Sequence, residues 1–219
     1  MLKVYGLYRS RATRPLWLLG ELGVPFAHVP VTQAYKLADP LAADAPLNTL
    51  SPAFRALSPA GAIPVIEDAG FVLAESLAIT LYLAKKHGGP LAPADPQEEA
   101  LMLQWALYGT TAIEEPALEI SFAYARGEAE TEAGRARIAA AEGKLLRPLA
   151  VLEAHLATTG QIVGDRFTVA DLNMAEIVRY AQPDTALMAR FPGVTRWLEA
   201  AQARPAFQAM WAARTAEPA

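Results

Sequence analysis

The sequence contains no cysteine and only three histidines, which lie far apart at positions 28, 87 and 155. The lack of cysteine excludes disulfide bonds, Cys-ligated zinc, iron–sulfur clusters and a cysteine nucleophile. The scattered histidines argue against a metal site, and no apolar run approaches the ~18 residues that a membrane-spanning helix needs. We therefore predict a protein of the cytoplasm that holds no metal and does not enter a membrane.

Charged side chains are also few. They make up 19% of the 219 residues, against 53% hydrophobic residues, and the formal net charge is −4. This composition is too apolar for a disordered chain, and the small excess of acidic groups argues against a nucleic-acid partner. A chain of this length buries about 70% of its unfolded surface, so it can fold without disulfides or metal ions.

A stretch rich in glycine and proline, HGGPLAPADP, occupies residues 87–96. Because such a composition interrupts both helices and strands, it predicts a linker between two domains at residues 1–86 and 97–219. The formal charge changes at the same place, from +2 over residues 1–90 to −6 over residues 91–219. The two parts therefore differ in charge as well as in position.

The first part alternates between short apolar runs and segments with helical spacing. Gly23 marks the end of the first helix, and the sequence Asp-Ala-Gly at 68–70 between two apolar runs indicates a tight hairpin. After the linker the patterns are helical only. We predict a small mixed α/β domain in the order β-α-β-α-β-β-α, followed by an all-α domain. The predicted strands are 2–6, 26–31, 63–67 and 71–73, the predicted helices of the first domain are 11–22, 52–57 and 75–86, and 36–50 is unassigned.

The first candidate site is the segment YRSRATR at residues 8–14, which joins the first strand to the first helix. Ligands bind beyond the carboxyl ends of strands in such sheets, and the N-terminus of a helix favours an anion. Ser10 would lie at this corner, with Arg9, Arg11 and Arg14 beside it. The alternative is that Ser10 only caps the helix, a common role of serine, and that the arginines are solvated.

Two further candidate sites follow along the chain. Ile63 precedes Pro64 at a predicted strand start; a cis bond there would turn the backbone N–H and C=O of Ile63 outward, although most X–Pro bonds are trans. Glu75 and Ser76 lie at the turn into a helix, where they would recognise the ammonium and carboxylate of an amino acid. Simple capping is the alternative explanation for this pair.

Two other features have mainly structural interpretations. The sequence TVAD at Thr168–Asp171 has the pattern of a capping box, and we assign it no chemistry. Four aromatic residues of the second part would suit an apolar pocket, although a core role is commoner for any one of them. They are Trp105, Tyr108, Phe122 and Tyr124.

The order of these motifs resembles that of the glutathione transferase family, and SRATRPLWLL from Ser10 resembles a bacterial and fungal subgroup of it. The resemblance covers nearly the whole chain, through the linker to FTVADL at residues 167–172. It implies a thioredoxin-like domain that binds glutathione and a C-terminal α-helical bundle that supplies most of the electrophile pocket. It also implies a homodimer.

The resemblance further implies roles for single residues at the glutathione site. Pro64 would follow a cis bond, and Ile63 would hydrogen-bond the cysteinyl backbone of glutathione. Glu75 and Ser76 would bind the γ-glutamyl end of glutathione. Other residues would contact the sulfur of glutathione and the electrophile.

Ser10 matches the serine with which many family members stabilise the thiolate, and Arg11 would assist it. Tyr5 and Tyr8 are close in sequence, so a tyrosine remains an alternative activator. The thiolate would attack a small hydrophobic electrophile. The residues expected to line the hydrophobic pocket are Tyr8, Trp105 and Tyr108.

The sequence departs from the family pattern at three places. Ala62 stands where many relatives have lysine, Ser58 stands where asparagine is usual, and residues 36–50 look longer than usual. The lack of cysteine excludes the branches that use a catalytic cysteine. The predicted function is conjugation of glutathione. The alternatives are a glutathione-dependent isomerase, dehalogenase or peroxidase, and a non-catalytic member that serves as an interaction module.

Overall fold

The computed structural model describes residues 1–218, which form two compact units. One unit comprises residues 1–89 together with the segment that begins at Pro205, and the other comprises Pro90–Arg204. The division after Gly89 falls within the predicted linker. Every helix in residues 1–218 is too short or too polar to span a lipid bilayer.

A four-stranded mixed sheet is the centre of the first unit. Its strands are β1 Lys3–Tyr5, β2 Ala27–Val29, β3 Val65–Asp68 and β4 Phe71–Ala74, and its first three helices are α1 Thr13–Leu22, α2 Pro52–Leu57 and α3 Ser76–His87. The spatial order is β2-β1-β3-β4, with β1 parallel to β2 and antiparallel to β3. The predicted order β-α-β-α-β-β-α is therefore confirmed.

Helix α1 has the bounds that its sequence predicts. Pro15 lies in the first turn, where its missing N–H costs no hydrogen bond. Gly23 ends the helix with a φ of 63°, a left-handed conformation that glycine adopts readily. The apolar residues of the helix are buried in the core, namely Leu16, Trp17, Leu18 and Leu19.

The unassigned segment 36–50 is irregular and folds around a buried amide. Asn48 is 1% exposed, and its Nδ2 donates to the carbonyl oxygens of Pro40 and Pro46, both at 2.9 Å. Its Oδ1 accepts from the N–H of Leu50 at 2.9 Å. Because one side chain satisfies several backbone groups, the segment needs no helix or strand, and no periodic pattern could have predicted it.

Residues 90–204 fold into helices joined by turns. The helices are α4 Pro96–Tyr108, α5 Glu115–Ala125, α6 Glu132–Thr159, α7 Val169–Val178, α8 Thr185–Ala189 and α9 Pro192–Gln202, with a π-helical turn at Gly109–Glu114. The long helix α6 packs against α5 and α9. Its predicted apolar stripe is buried, at Leu145, Leu149, Leu152 and Leu156. The π-helical turn and the short α8 were not predicted.

The last helix, α10 Pro205–Ala216, packs against α1 in the first unit, whereas the sequence placed it in the domain 97–219. Phe207 meets Trp17 edge to face, with ring centroids 4.9 Å apart. Gly20 allows the helices to approach, because a Cβ there would lie 3.3 Å from the Cβ of Ala206. The apolar face of α10 is visible in the sequence, but the surface that it covers is not.

Candidate active site

The chain turns sharply after β1 into the loop that carries Ser10. Gly6, the first residue after β1, would place a Cβ 2.9 Å from the Cβ of Ala12 and 3.6 Å from that of Ile63. Only glycine fits such a contact without a shift of its neighbours. The start of α1 and the segment before β3 therefore meet across Gly6.

Ser10 is half-buried in this loop, and its hydroxyl has two local partners. The O–H donates to the carbonyl oxygen of Leu7 at 2.6 Å, and Oγ accepts from the N–H of Ala12 at 3.0 Å. Ser10 thus closes the turn that precedes α1. It also places a hydroxyl, whose hydrogen can rotate, at a helix N-terminus, where negative charge is favoured.

Arg14 joins two of the predicted motifs. Its side chain is 1% exposed, and its Nη1 donates to Oγ of Ser76 at 2.9 Å. Ser76 is the first residue of α3 and is itself buried. The sequence placed Arg14 either in the corner with Ser10 or in solvent; the structure buries it against the third motif. Its guanidinium adds a fixed positive charge beside the N-terminus of α3.

The peptide bond between Ile63 and Pro64 is cis, as the family resemblance implied. Pro64 is buried, and Ile63 packs against a core cluster that includes Tyr5. Ser58 holds the preceding turn, since its Oγ donates to the carbonyl oxygen of Ala62 at 3.0 Å and accepts from the N–H of Ala62 at 3.2 Å. The backbone just before Ile63 is therefore fixed by a buried hydroxyl.

Glu75 has an unusual backbone conformation just before α3. Its φ of 67° and ψ of 107° lie in a region that residues other than glycine rarely adopt, and such strain is typical of functional sites. Its side chain is exposed, and within residues 1–218 the carboxylate has no hydrogen-bond or ion-pair partner. A free carboxylate and the hydroxyl of Ser76 are thus adjacent at one helix start.

Two family profiles match the chain. The profile described as "Glutathione S-transferase, N-terminal domain" matches residues 4–91, and "Glutathione S-transferase, C-terminal domain" matches residues 100–205. The chain belongs to the glutathione S-transferase family. The predicted fold class, a thioredoxin-like domain followed by an α-helical domain, is thereby confirmed.

Relatives of this glutathione S-transferase cover almost its whole length. It is 34% identical to glutathione S-transferase 3 of Zea mays over an alignment of 218 positions, which covers 94% of this chain and 91% of the maize protein. The crystal structure of glutathione transferase F7 from Populus trichocarpa matches with a TM-score of 0.80 and 28% identity, covering 98% of this chain and 99% of the poplar one. A theta class glutathione S-transferase from Xanthomonas axonopodis pv. citri, solved with glutathione bound, has a TM-score of 0.77, 28% identity and 95% coverage of both chains. The protein is accordingly a transferase that uses glutathione as a substrate.

The two tyrosines near Ser10 in this glutathione S-transferase have different surroundings. The O–H of Tyr5 donates to Oε2 of Glu67 at 2.9 Å, and burial raises the pKa of Tyr5. Burial, and then the carboxylate of Glu217, raise the pKa of Tyr8. The O–H of Tyr5 is thus committed to Glu67, whereas the O–H of Ser10 is held only by a backbone carbonyl.

The three residues predicted to line a hydrophobic pocket lie in different surroundings. Tyr8 lines a cavity of about 530 Å³ in the first unit, whose walls include Leu16 of α1 and Met210 of α10. Trp105 and Tyr108 lie in the second unit with ring centroids 5.4 Å apart, and Trp105 is 8% exposed. Burial favours a core role for Trp105, and the pocket role of all three stays a prediction.

Among residues 1–218, no group of three or more histidine, aspartate and glutamate side chains is placed to hold a metal ion. Two features of the site were missed by sequence reasoning. One is the burial of Arg14, for which its place in the apolar helix TRPLWLL was a usable signal. The other is the contact of the C-terminal residues Arg214 and Glu217 with the Ser10 loop, which no sequence pattern indicates.

Proposed function

We propose that this transferase activates the thiol of glutathione at the Ser10 corner and conjugates the thiolate to a small hydrophobic electrophile. The observation that carries the proposal is the hydrogen bond from Arg14 to Ser76, two residues 62 positions apart in the sequence. It ties the start of α1 to the start of α3, and the close contact at Gly6 adds the segment at Ile63. We therefore treat the three motifs as parts of one site.

Glu75 and Ser76 are assigned to the γ-glutamyl end of glutathione, which carries an ammonium and a carboxylate. The exposed carboxylate of Glu75 would pair with the ammonium. Because Oγ of Ser76 accepts from Arg14, its own O–H remains to donate to the carboxylate, and the N-terminus of α3 favours the same charge. The backbone of Ile63, beside Pro64, is assigned to the cysteinyl part.

Ser10 is assigned to the sulfur. A free thiol of this kind has a pKa of about 8.5, and lowering the pKa by ~2 units requires about 2.7 kcal/mol of differential stabilisation. The O–H of Ser10 now donates to the neutral carbonyl of Leu7, and turning it to a thiolate gives a stronger, charge-assisted bond. The N–H of Ala12 holds the oxygen in place meanwhile. Arg11, exposed at the same corner, is assigned an assisting charge.

The assignment of the sulfur is tested by comparing turnover in single variants. Ser10→Ala should lower kcat by roughly 10²–10³-fold, the usual loss of one donor to a developing anion. KM for glutathione should change little, because the contacts at Glu75 and Ser76 are untouched. Tyr8→Phe, Tyr5→Phe and Arg11→Ala should each have smaller effects, and a larger loss in any one of them would transfer the role to that residue.

The electrophile is assigned by chemical class. A turnover screen with glutathione and a panel of halides, epoxides, enones and hydroperoxides should give thioether products. Isomerised enones, reduced hydroperoxides or halide release without a stable thioether would favour the isomerase, peroxidase or dehalogenase alternatives. Binding of glutathione without turnover of any member would favour the interaction module.

The homodimer and the cytoplasmic location belong to this proposal. Leu103 and Leu107, one turn apart on α4, are 51% and 57% exposed, and such an apolar face is typical of an interface. Two-fold dimers are also the commonest oligomers. Sedimentation at micromolar concentration should give the mass of a dimer, and a monomer would contradict this part of the proposal.

A further inference from the structure

The C-terminal residues Arg214 and Glu217, called here the strap, form hydrogen bonds with the loop before Ser10. The two carboxylate oxygens of Glu217 accept from the backbone N–H of Tyr8 at 2.9 Å and of Arg9 at 2.7 Å. The backbone carbonyl oxygen of Glu217 accepts from Nε of Arg9 at 2.8 Å. Nη1 of Arg214 donates to the carbonyl oxygen of Tyr8 at 2.7 Å. Residues more than two hundred positions apart are thus joined by four hydrogen bonds.

Two consecutive peptide groups are fixed by these contacts. The first contains the N–H of Tyr8 and, in the same plane, the carbonyl of Leu7 that accepts the O–H of Ser10. The second contains the carbonyl of Tyr8 and the N–H of Arg9, and the strap holds both. Because a peptide group is planar, Glu217 sets the orientation of the carbonyl that receives the Ser10 hydroxyl. Rotation of either plane would break charge-assisted hydrogen bonds.

The strap and the loop that it contacts combine one negative charge with two positive charges. Glu217 directs both carboxylate oxygens to backbone N–H groups. Arg9 and Arg214, which contact the same loop, supply two positive charges against this one negative charge. The two arginines favour a thiolate beside Ser10, whereas loss of the Glu217 charge alone would lower the thiol pKa. A thiol pKa that rises when Glu217 is removed therefore reports lost positioning of Ser10.

We propose that Glu217 and Arg214 are positioning residues for Ser10, a role that rests on the thiolate function proposed above. The strap keeps the Leu7 carbonyl and the Ser10 hydroxyl in one arrangement, so that the hydroxyl hydrogen moves between only two acceptors, that carbonyl and the sulfur. Without the strap the loop has further conformations, and in those the hydroxyl is out of reach of the sulfur. Misplacement of a catalytic group by even 1 Å costs up to about 10²-fold in rate.

The first experiment measures the thiol pKa of enzyme-bound glutathione by ultraviolet titration, together with kcat and KM. Glu217→Ala should raise that pKa by about 1 unit and lower kcat by about 10-fold, with KM for glutathione within about twofold. Glu217→Gln should give a smaller change, because its amide oxygen still accepts from one N–H. Thr215→Ala is the matched control, since this exposed hydroxyl on the same turn donates to the carbonyl of Trp211 and not to the loop.

The second experiment asks whether the strap acts through Ser10. In the Ser10→Ala background, Glu217→Ala should have no further effect on the thiol pKa, whereas independent effects would add. Urea unfolding of each variant separates a change at the site from a loss of folded protein. If Glu217→Ala does not fold, Arg214→Lys, which keeps the positive charge but not the planar guanidinium, should raise the thiol pKa in the same direction.

The outcomes distinguish the two proposals. A shifted pKa in Ser10→Ala with an unshifted pKa in the folded strap variants would overturn the positioning role and leave the role of Ser10 intact. Additive effects in the double variant would also overturn the positioning role. An unshifted pKa in Ser10→Ala would reject the serine function and, with it, the strap proposal.

Discussion

Two hydroxyls in this protein lie shortly before a helix, Thr168 as the N-cap of α7 and Ser10 in the turn three residues before α1, and they differ in what surrounds them. Thr168 is fully buried and makes a complete capping box, in which Oδ2 of Asp171 accepts from the N–H of Thr168 at 2.9 Å. Oδ1 of Asp171 accepts from the N–H of Ile162 at 2.8 Å and from Nε1 of Trp197 at 3.1 Å. Every one of these partners belongs to the second unit and is buried.

The Ser10 corner has the same kind of local bonds but a different setting. Ser10 is half-buried, and the residues beside it carry charge: Arg9 in the strap contact, Arg11 at the surface and Arg14 beneath Ser76. A capping hydroxyl enclosed by apolar residues and neutral donors can only stabilise the fold. A hydroxyl in a turn that is only half-buried and lies among charged residues can also meet a ligand. Neighbours and exposure, rather than the position before a helix, separate the two roles.

Asp171→Ala should have the largest effect on stability. It leaves the N–H groups of Ile162 and Thr168 and the indole N–H of Trp197 buried without an acceptor, each at a cost of about 1–3 kcal/mol. We expect a loss of about 3–5 kcal/mol in the free energy of unfolding, measured with urea. Asp171→Asn, which keeps one acceptor oxygen, should lose less. A loss under about 1 kcal/mol would show that the hydrogen bonds of Asp171 contribute little to the stability of the fold.

Ser10→Ala should have a small effect on stability and a large effect on turnover. The free energy of unfolding should fall by only about 1 kcal/mol, the usual net contribution of a hydrogen bond. Turnover should fall by roughly 10²–10³-fold. Urea unfolding and steady-state kinetics on the same preparations provide the measurements. A stability loss as large as that of Asp171→Ala would contradict the smaller structural role of Ser10.

Glu75→Ala and Ser76→Ala test whether these two residues bind glutathione. Each removes a charge-assisted bond to glutathione and should weaken binding by about 1.5–3 kcal/mol in calorimetric titration. Glu130→Ala is the matched control, because this carboxylate is 97% exposed and lies in the second unit. Unchanged affinity in both Glu75→Ala and Ser76→Ala would remove the γ-glutamyl assignment.

The ion pair of Glu98 with Arg166 should make a smaller contribution to the stability of the second unit. Hydrogen bonds from Arg166, then from the N–H of Ala94, lower the pKa of Glu98 to about 2. A lowered carboxyl pKa stabilises the fold above the unfolded value of 4.5, and this contribution is lost as the pH falls through about 2.

Glu98→Gln should therefore reduce the free energy of unfolding by about 1–2 kcal/mol at neutral pH. The difference from the wild type should shrink as the pH falls from 4.5 towards 2. Urea midpoints over this pH range provide the measurement. A difference that stays constant with pH would mean that the charge of Glu98 does not contribute. No effect on glutathione binding is expected from this change.

The elements with a clear local signal could be predicted from the sequence. Pro15 and Gly23 gave the bounds of α1, and the resemblance implied the cis bond before Pro64. Contacts between distant segments could not be predicted, because they depend on packing rather than on local pattern. Periodicity gives Arg14 a helical position but not its partner Ser76, and it gives α10 an apolar face but not its contact with α1.

The most direct test of the central claim is the ultraviolet titration of glutathione bound to the wild type and to Ser10→Ala, with Thr168→Ser as the matched change at the buried corner. We expect a thiol pKa about 2 units below the free value of about 8.5 in the wild type and in Thr168→Ser. In Ser10→Ala the pKa should return towards the free value. Equal pKa values in the wild type and in Ser10→Ala would contradict the claim that Ser10 holds the thiolate.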